Sequence, residues 1–173
     1  KDSVSEIQTI VAKANTALAL IEEYNNGDGT TTLANGATTL TVADYVAVGV
    51  SGVDDTAGSD NLAAVNAQVL LAAAGGADSV AEIQALVTDG NDAIDYLTTT
   101  VQALTTAPAA GSVGAGEISV DDQLAAYAAA GVTGVSAGNL LAVNAQLRLE
   151  TTATNKDSVS EIQTIVAKAN TAL

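Results

Sequence analysis

The chain contains no histidine, cysteine, methionine, tryptophan or phenylalanine, and only four tyrosines and one proline. Each absence removes a class of chemistry. Without histidine or cysteine there is no ordinary zinc site, no imidazole base and no thiol nucleophile, and disulfides are impossible. Positive charge is scarce too: five lysines and arginines face twenty aspartates and glutamates, for a net charge of -15. A field of that sign repels nucleic-acid phosphates and anionic membrane surfaces, so neither is an expected partner. The apolar runs fall well short of the roughly 20 residues a membrane span needs. Carboxylates are plentiful, but nothing pairs them with a defined pocket, so the chain is expected to be neither an enzyme nor a cofactor carrier.

What is present is a narrow aliphatic alphabet, with 48% hydrophobic residues drawn mainly from Ala, Val, Leu and Ile. That content excludes a disordered tail. A core of small aliphatic side chains gains less per residue than an aromatic one, so single units are expected to be marginal alone and to gain from neighbours.

The chain is organised around one stretch. KDSVSEIQTIVAKANTAL occupies residues 1–18 and recurs letter for letter at 156–173, and ADSVAEIQALVTDGNDAI at 77–94 keeps nine of its eighteen residues. Internal repetition at this spacing is the signature of a tandem array, and the chain is expected to begin and end part-way through a unit. Asp2, Asp78 and Asp157 lie 76 and 79 positions apart, so a long period of 155 holds two unequal sub-repeats.

Each copy opens with a capping box, Ser3 with Glu6, Ser79 with Glu82 and Ser158 with Glu161, which predicts a helix start. Apolar or small residues follow at Val4, Ile7, Val11, Ala14, Leu18 and Ile21, one helical stripe. The middle copy carries it through Val80, Ile83, Val87, Gly90, Ile94, Leu97, Val101 and Leu104. Ile10, Ala17 and Leu20 widen the stripe beyond a coiled-coil seam, which favours packing within a bundle. Gly90 stands where the outer copies have alanine; it costs about 1 kcal/mol of helix propensity unless a neighbouring backbone needs the space.

Between these helices the chain reads as two related hairpins. TVADYVAVGVSGV (41–53) and SVDDQLAAYAAAGVTGV (119–135) align on Tyr45 with Tyr127 and on Gly49 with Gly131, each a short capped helix stopping at glycine. The tyrosines are expected to wedge between helices with their hydroxyls reaching water. DNLAAVNAQVLLAAA (60–74) and GNLLAVNAQLRLETT (138–152) are the second helices, burying Leu62, Val65 and Val69, and Leu140, Val143 and Leu147. Asn66, Asn144, Gln8, Gln84 and Gln163 sit beside the stripes, where a polar contact between helices or a bond to a neighbouring turn is expected.

The cluster Asn25, Asn26, Gly27, Asp28 and Gly29 reads as a turn and helix stop; it lacks the acidic alternation and late glutamate of an EF-hand loop. The first hairpin carries an insertion, VDDTAGSDN (53–61) against VSAGN (135–139). Its carboxylates Asp54, Asp55 and Asp60 could hold a divalent cation such as calcium, or form a solvated turn with Asp60 as an N-cap.

The Ala-Gly-Val stop at 130–132, the Ala-Val-Asn of 142–144 and the capped opening of the last helix resemble the three-helix albumin-binding modules of bacterial surface proteins. The resemblance covers 120–173 and, with the insertion, 42–104. GVTGV with NLLAVN, joined to DSVSEIQ, also resembles the tandem repeats of very large bacterial surface and biofilm adhesins, some of them secreted with calcium-binding C-terminal repeats. That likeness spans the chain and implies an extracellular spacer at the bacterial cell surface, with adhesion performed by other domains.

The expected fold is all-α, a tandem of three-helix-bundle modules with long capped amphipathic helices. Residues 1–24 would be the third helix of a preceding module and 42–104 and 120–173 two modules, joined by linkers 25–41 and 105–119. The expected partners are neighbouring repeats. Two rival functions are a module binding albumin or another host or matrix protein, and a self-assembling filament or sheath subunit.

Overall fold

A computed structural model describes residues 3–101, 118–151 and 156–173, and every regular element among them is helical. In chain order these are α1 (Val4–Asn25), α2 (Val42–Val48), α3 (Leu62–Leu71), α4 (Val80–Tyr96), α5 (Val120–Ala129), α6 (Leu140–Leu149) and α7 (Val159–Thr171). A π-helical turn, Leu97–Val101, continues α4. There the hydroxyls of Thr98 and Thr99 both donate to the Asp95 carbonyl, at 3.1 and 2.6 Å, and bonding of this kind slightly destabilises and often bends a helix. No helix among the described residues is long and apolar enough to cross a membrane.

The helix starts follow their caps. Ser3 and Glu6 bond reciprocally at 3.2 and 3.3 Å, and Ser79 and Glu82 at 3.1 and 3.4 Å, each pair satisfying two free amides of the first turn. Ser158 accepts from the Glu161 amide at 3.4 Å, while the Glu161 carboxylate takes the Ser158 hydroxyl. α2 stops at Gly49 (φ 90°), and α5 is followed by Gly131 (φ 70°). In each the next residue closes the turn, Val50 N–H to the Tyr45 carbonyl at 3.0 Å and Val132 N–H to that of Tyr127 at 2.9 Å.

Two hydrophobic clusters form, the first fed by four helices and the second by five, α3 reaching it through Ala64. The first joins Ala17, Leu20, Ile21 and Tyr24 of α1 to Tyr45 and Val48 of α2, Val65 and Val69 of α3, and Ile83, Leu86 and Val87 of α4. The second joins Ile94 and Leu97 at the far end of α4 to Tyr127, then Leu140, Val143 and Leu147 of α6, and Val159, Ile162, Ile165, Val166 and Ala169 of α7. One rod therefore runs through both clusters, its first half in one and its last turns in the other. Gly90 lies between them, where a Cβ would meet the Val65 nitrogen at 3.0 Å and the Ala64 carbonyl carbon at 3.2 Å. The helix gives up propensity there so that α3 can approach.

Several expectations change. The second helices are shorter at both ends than the sequence pattern suggests, and α3 begins after Asn61 rather than at Asp60. The tyrosine hydroxyls do not reach water: Tyr45 donates to Asn66 Oδ1 at 2.6 Å and Tyr127 to Asn144 Oδ1 at 2.8 Å, all buried. A buried hydroxyl without a partner costs more than one bonded inside, and the asparagine supplies the acceptor. Residues 26–41 carry Leu33 and Leu40 into the first cluster. Asn25 clamps the end of α3 by donating to the Val69 and Ala72 carbonyls at 2.7 and 3.2 Å. Most of the expected linker 105–119 lies outside the described residues.

Candidate functional site: the contact between successive units

The turns of both hairpins are held to the long helices by one recurring device. Gln84 of α4 spans Ser51, accepting from its amide at 3.1 Å and donating to its carbonyl at 3.0 Å. Gln163 of α7 does the same to Thr133, at 3.0 and 3.0 Å. A primary amide presents a donor and an acceptor side by side, so it can pair with both groups of one extended residue. Two turns further along, Asn91 accepts from Asn61 Nδ2 at 2.7 Å and Asn170 from Asn139 Nδ2 at 2.6 Å, and each helix-start asparagine also donates to a glycine carbonyl, Gly52 or Gly134, at 2.7 Å. The expected bond from glutamine to a neighbouring turn is present in both copies. The partnership with Asn91 and Asn170 is visible in the sequence only as an asparagine repeated at one register.

Between the halves, α3 lies against α5. Gln68 Nε2 donates to the Ala129 carbonyl at 2.9 Å, and Ala64 is fully buried in the second cluster. Gly131 permits the approach: a Cβ there would strike the Ala63 carbonyl oxygen and come within 2.8 Å of the Ala64 nitrogen.

The inserted loop makes a second bridge. Asp60 accepts from the Val159 amide through its backbone carbonyl at 3.1 Å, and through its carboxylate from the Ser160 amide at 3.1 Å and the Ser160 hydroxyl at 2.5 Å. With Ser158 on the Glu161 amide, the first three amides of α7 are all satisfied, two of them from a residue a hundred positions away. Negative charge at this end of a helix is also favourable. Asp60 thus caps the last helix of the chain, not the helix that follows it. Where the insertion is missing, Gly138 stands in place of Asp60, and the helix position matching Ser160 is Ala81. Both halves of the bridge are present together or absent together.

The other carboxylates of the insertion do local work. Asp54 accepts from the Thr56 amide at 2.8 Å and the Ser59 hydroxyl at 2.8 Å, and hydrogen bonds from Thr56 foremost hold its carboxyl below the usual range. Asp55 is exposed beside it and Asp60 points to α7, so the three do not converge, and no acidic group among the described residues is arranged to hold a metal ion. Asp28 behaves like Asp54: the hydroxyls and amides of Thr30 and Thr31 lower its carboxyl to about 2. Burial raises Tyr45 and Tyr127 above the ordinary phenol range, consistent with hydroxyls that serve only as donors to asparagine.

No protein-family model, no curated protein and no solved structure matches the chain.

Proposed function

We propose that the chain is an extender: a run of repeat units whose product is length, projecting other domains of an extracellular bacterial adhesin from the cell surface. The units are read as three-helix modules, a hairpin (α2 and α3, or α5 and α6) closed by a long third helix (α4 or α7), with α1 the third helix of another such unit. The observation that carries the reading is the sharing of α4 between two cores. A hinge between the halves would have to break that helix or pull Ile94 and Leu97 out of apolar contact, which costs about 1.5–3 kcal/mol for each side chain. Asp60 on α7 and Gln68 on Ala129 add polar ties across the same contact. Stiffness across joints is what a spacer needs, and it is distributed here over repeated interfaces rather than placed in one. The two groups most shifted by burial, Tyr45 and Tyr127, are committed to internal bonds, which is structural rather than catalytic work.

The test is small-angle scattering on one, two and four tandem copies of the 155-residue period. An extender keeps adding the same increment of maximum dimension per copy and stays monomeric. Growth with the square root of copy number, as for units on flexible linkers, would overturn the reading.

A further inference from the structure

The first helix presents a face that its twin has covered. On α1, Val4, Ile7 and Val11 are 71%, 53% and 52% exposed; on α7 the same residues of the same sequence, Val159, Ile162 and Val166, are 5%, 0% and 1% exposed. Gln8 and Asn15, which match Gln163 and Asn170, lie in the open. Beside them an apolar groove of about 930 Å³ runs between α1 and α2, lined by Ala12, Thr16, Ala19, Leu20, Ala34 and Ala47 among others.

The other end of the molecule shows what fits such a groove. The corresponding space between α4 and α5 is where α3 lies, with Gln68 on the Ala129 carbonyl and Gly131 against the Ala63 backbone. Aligned on the tyrosines, Ala47 matches Ala129 and Gly49 matches Gly131. Gly49 has the same left-handed backbone (φ 90°) but nothing within 4 Å of where a Cβ would stand. The equivalent of α3 in the second hairpin is α6, which carries Gln146 where α3 carries Gln68.

We propose that the α1–α2 face is a docking surface for a helical hairpin of the α5–α6 sequence belonging to an adjoining unit. Its first helix and turn sit on Gln8 as Thr133 sits on Gln163. Its second helix fills the groove, the backbone at its Leu141 position closing on Gly49 and its Gln146 amide donating to the Ala47 carbonyl. The two contacts are compatible because α2 and α3 already make both at once, one to Gln84 and the other to Ala129. The inference rests on the repeat-array reading and adds to it the surface, the partner segment and the residues that set the register.

The experiment joins a copy of residues 118–155 directly ahead of Lys1, so that the added hairpin meets α1 as the native one meets α7. Amide exchange at Ile7–Val11 is expected to slow about 100-fold or more, toward the rates at Ile162–Val166. Gln8→Ala should undo much of that protection in the lengthened chain and leave the original chain unchanged. Because the protein has no cysteine, Ala47→Cys paired with Gln146→Cys in the added hairpin should be joined by a short bifunctional thiol cross-linker that replaces the reach of the glutamine side chain. Unchanged exchange at Ile7–Val11 overturns the proposal; protection without the cross-link overturns the register. If α1 stays unprotected while tandem arrays still lengthen by a constant step, the docking surface fails and the spacer reading survives. If α1 is protected and arrays nevertheless scatter as flexible chains, the spacer reading fails alone.

Discussion

Residues 4–11 and 159–166 have one sequence and two environments. Both fold as helix, both start on the same serine, and both carry the same stripe, yet Ile162 is buried and Ile7 faces solvent. The stripe is a local property of spacing, whereas burial depends on which other helices the chain brings alongside. In α7 those are α6 and, through Asp60, the loop ahead of α3; in α1 the buried residues come from the second half of the helix, Ala17, Leu20, Ile21 and Tyr24. Identity of sequence is therefore no guide to a residue's contribution to stability here.

The sharpest way to break that comparison is to truncate the two isoleucines. Ile162→Ala should cost about 2–5 kcal/mol in urea unfolding, and Ile7→Ala no more than about 0.5 kcal/mol. Equal effects would mean that α1 is covered in solution or that α7 is not.

The paired glycines come next. Gly49→Ala and Gly131→Ala both place a Cβ on a left-handed backbone, worth about 1–2 kcal/mol. Only Gly131→Ala also collides with the Ala63 and Ala64 backbone, and it should lose roughly a further 1–3 kcal/mol. A match between the two losses would show that α3 does not press on α5.

Asp60→Ala should cost about 1 kcal/mol and speed amide exchange in the first turn of α7, leaving the first turn of α1 untouched. Asp60→Asn, which keeps an acceptor and loses the charge, should retain most of the protection.

The smallest effect separates the loops by pH. Asp28 has a folded value of about 2, below the unfolded carboxylate value of about 3.9. A depressed folded value stabilises the native state above the unfolded pKa, and that contribution is lost as pH falls from about 4 through about 2. Asp54 shifts in the same direction, whereas the matching second loop, 135–139, has no carboxylate. Carboxyl-carbon NMR titration should therefore find the low-pH transition of these loops confined to the first half of the chain.

Much of the architecture is legible in the sequence. The capping boxes, the apolar stripes, the glycine stops after the two tyrosine helices and the penalty at Gly90 are all consequences of short-range geometry. The less legible features depend on partners distant in the chain. The water expected at the tyrosine hydroxyls is replaced by Asn66 and Asn144, 21 and 17 positions away. Asp60 reads as a local cap because an aspartate before a helix ordinarily is one; its true partner is Ser160, and only the joint loss at Gly138 and Ala81 hints at the pairing. The Leu33 and Leu40 side chains sit in a stretch whose threonine and glycine content reads as linker, although both are buried.

By itself the sequence determined where helices begin, which side of each is apolar, and that the same unit is written more than once, because those depend on residues within a few turns of one another. The tertiary structure alone decided that α4 belongs to two cores, that Asp60 caps a helix from the far half, and that one of two identical stripes is buried. Those outcomes depend on which surfaces reach each other in space, and no local pattern encodes that.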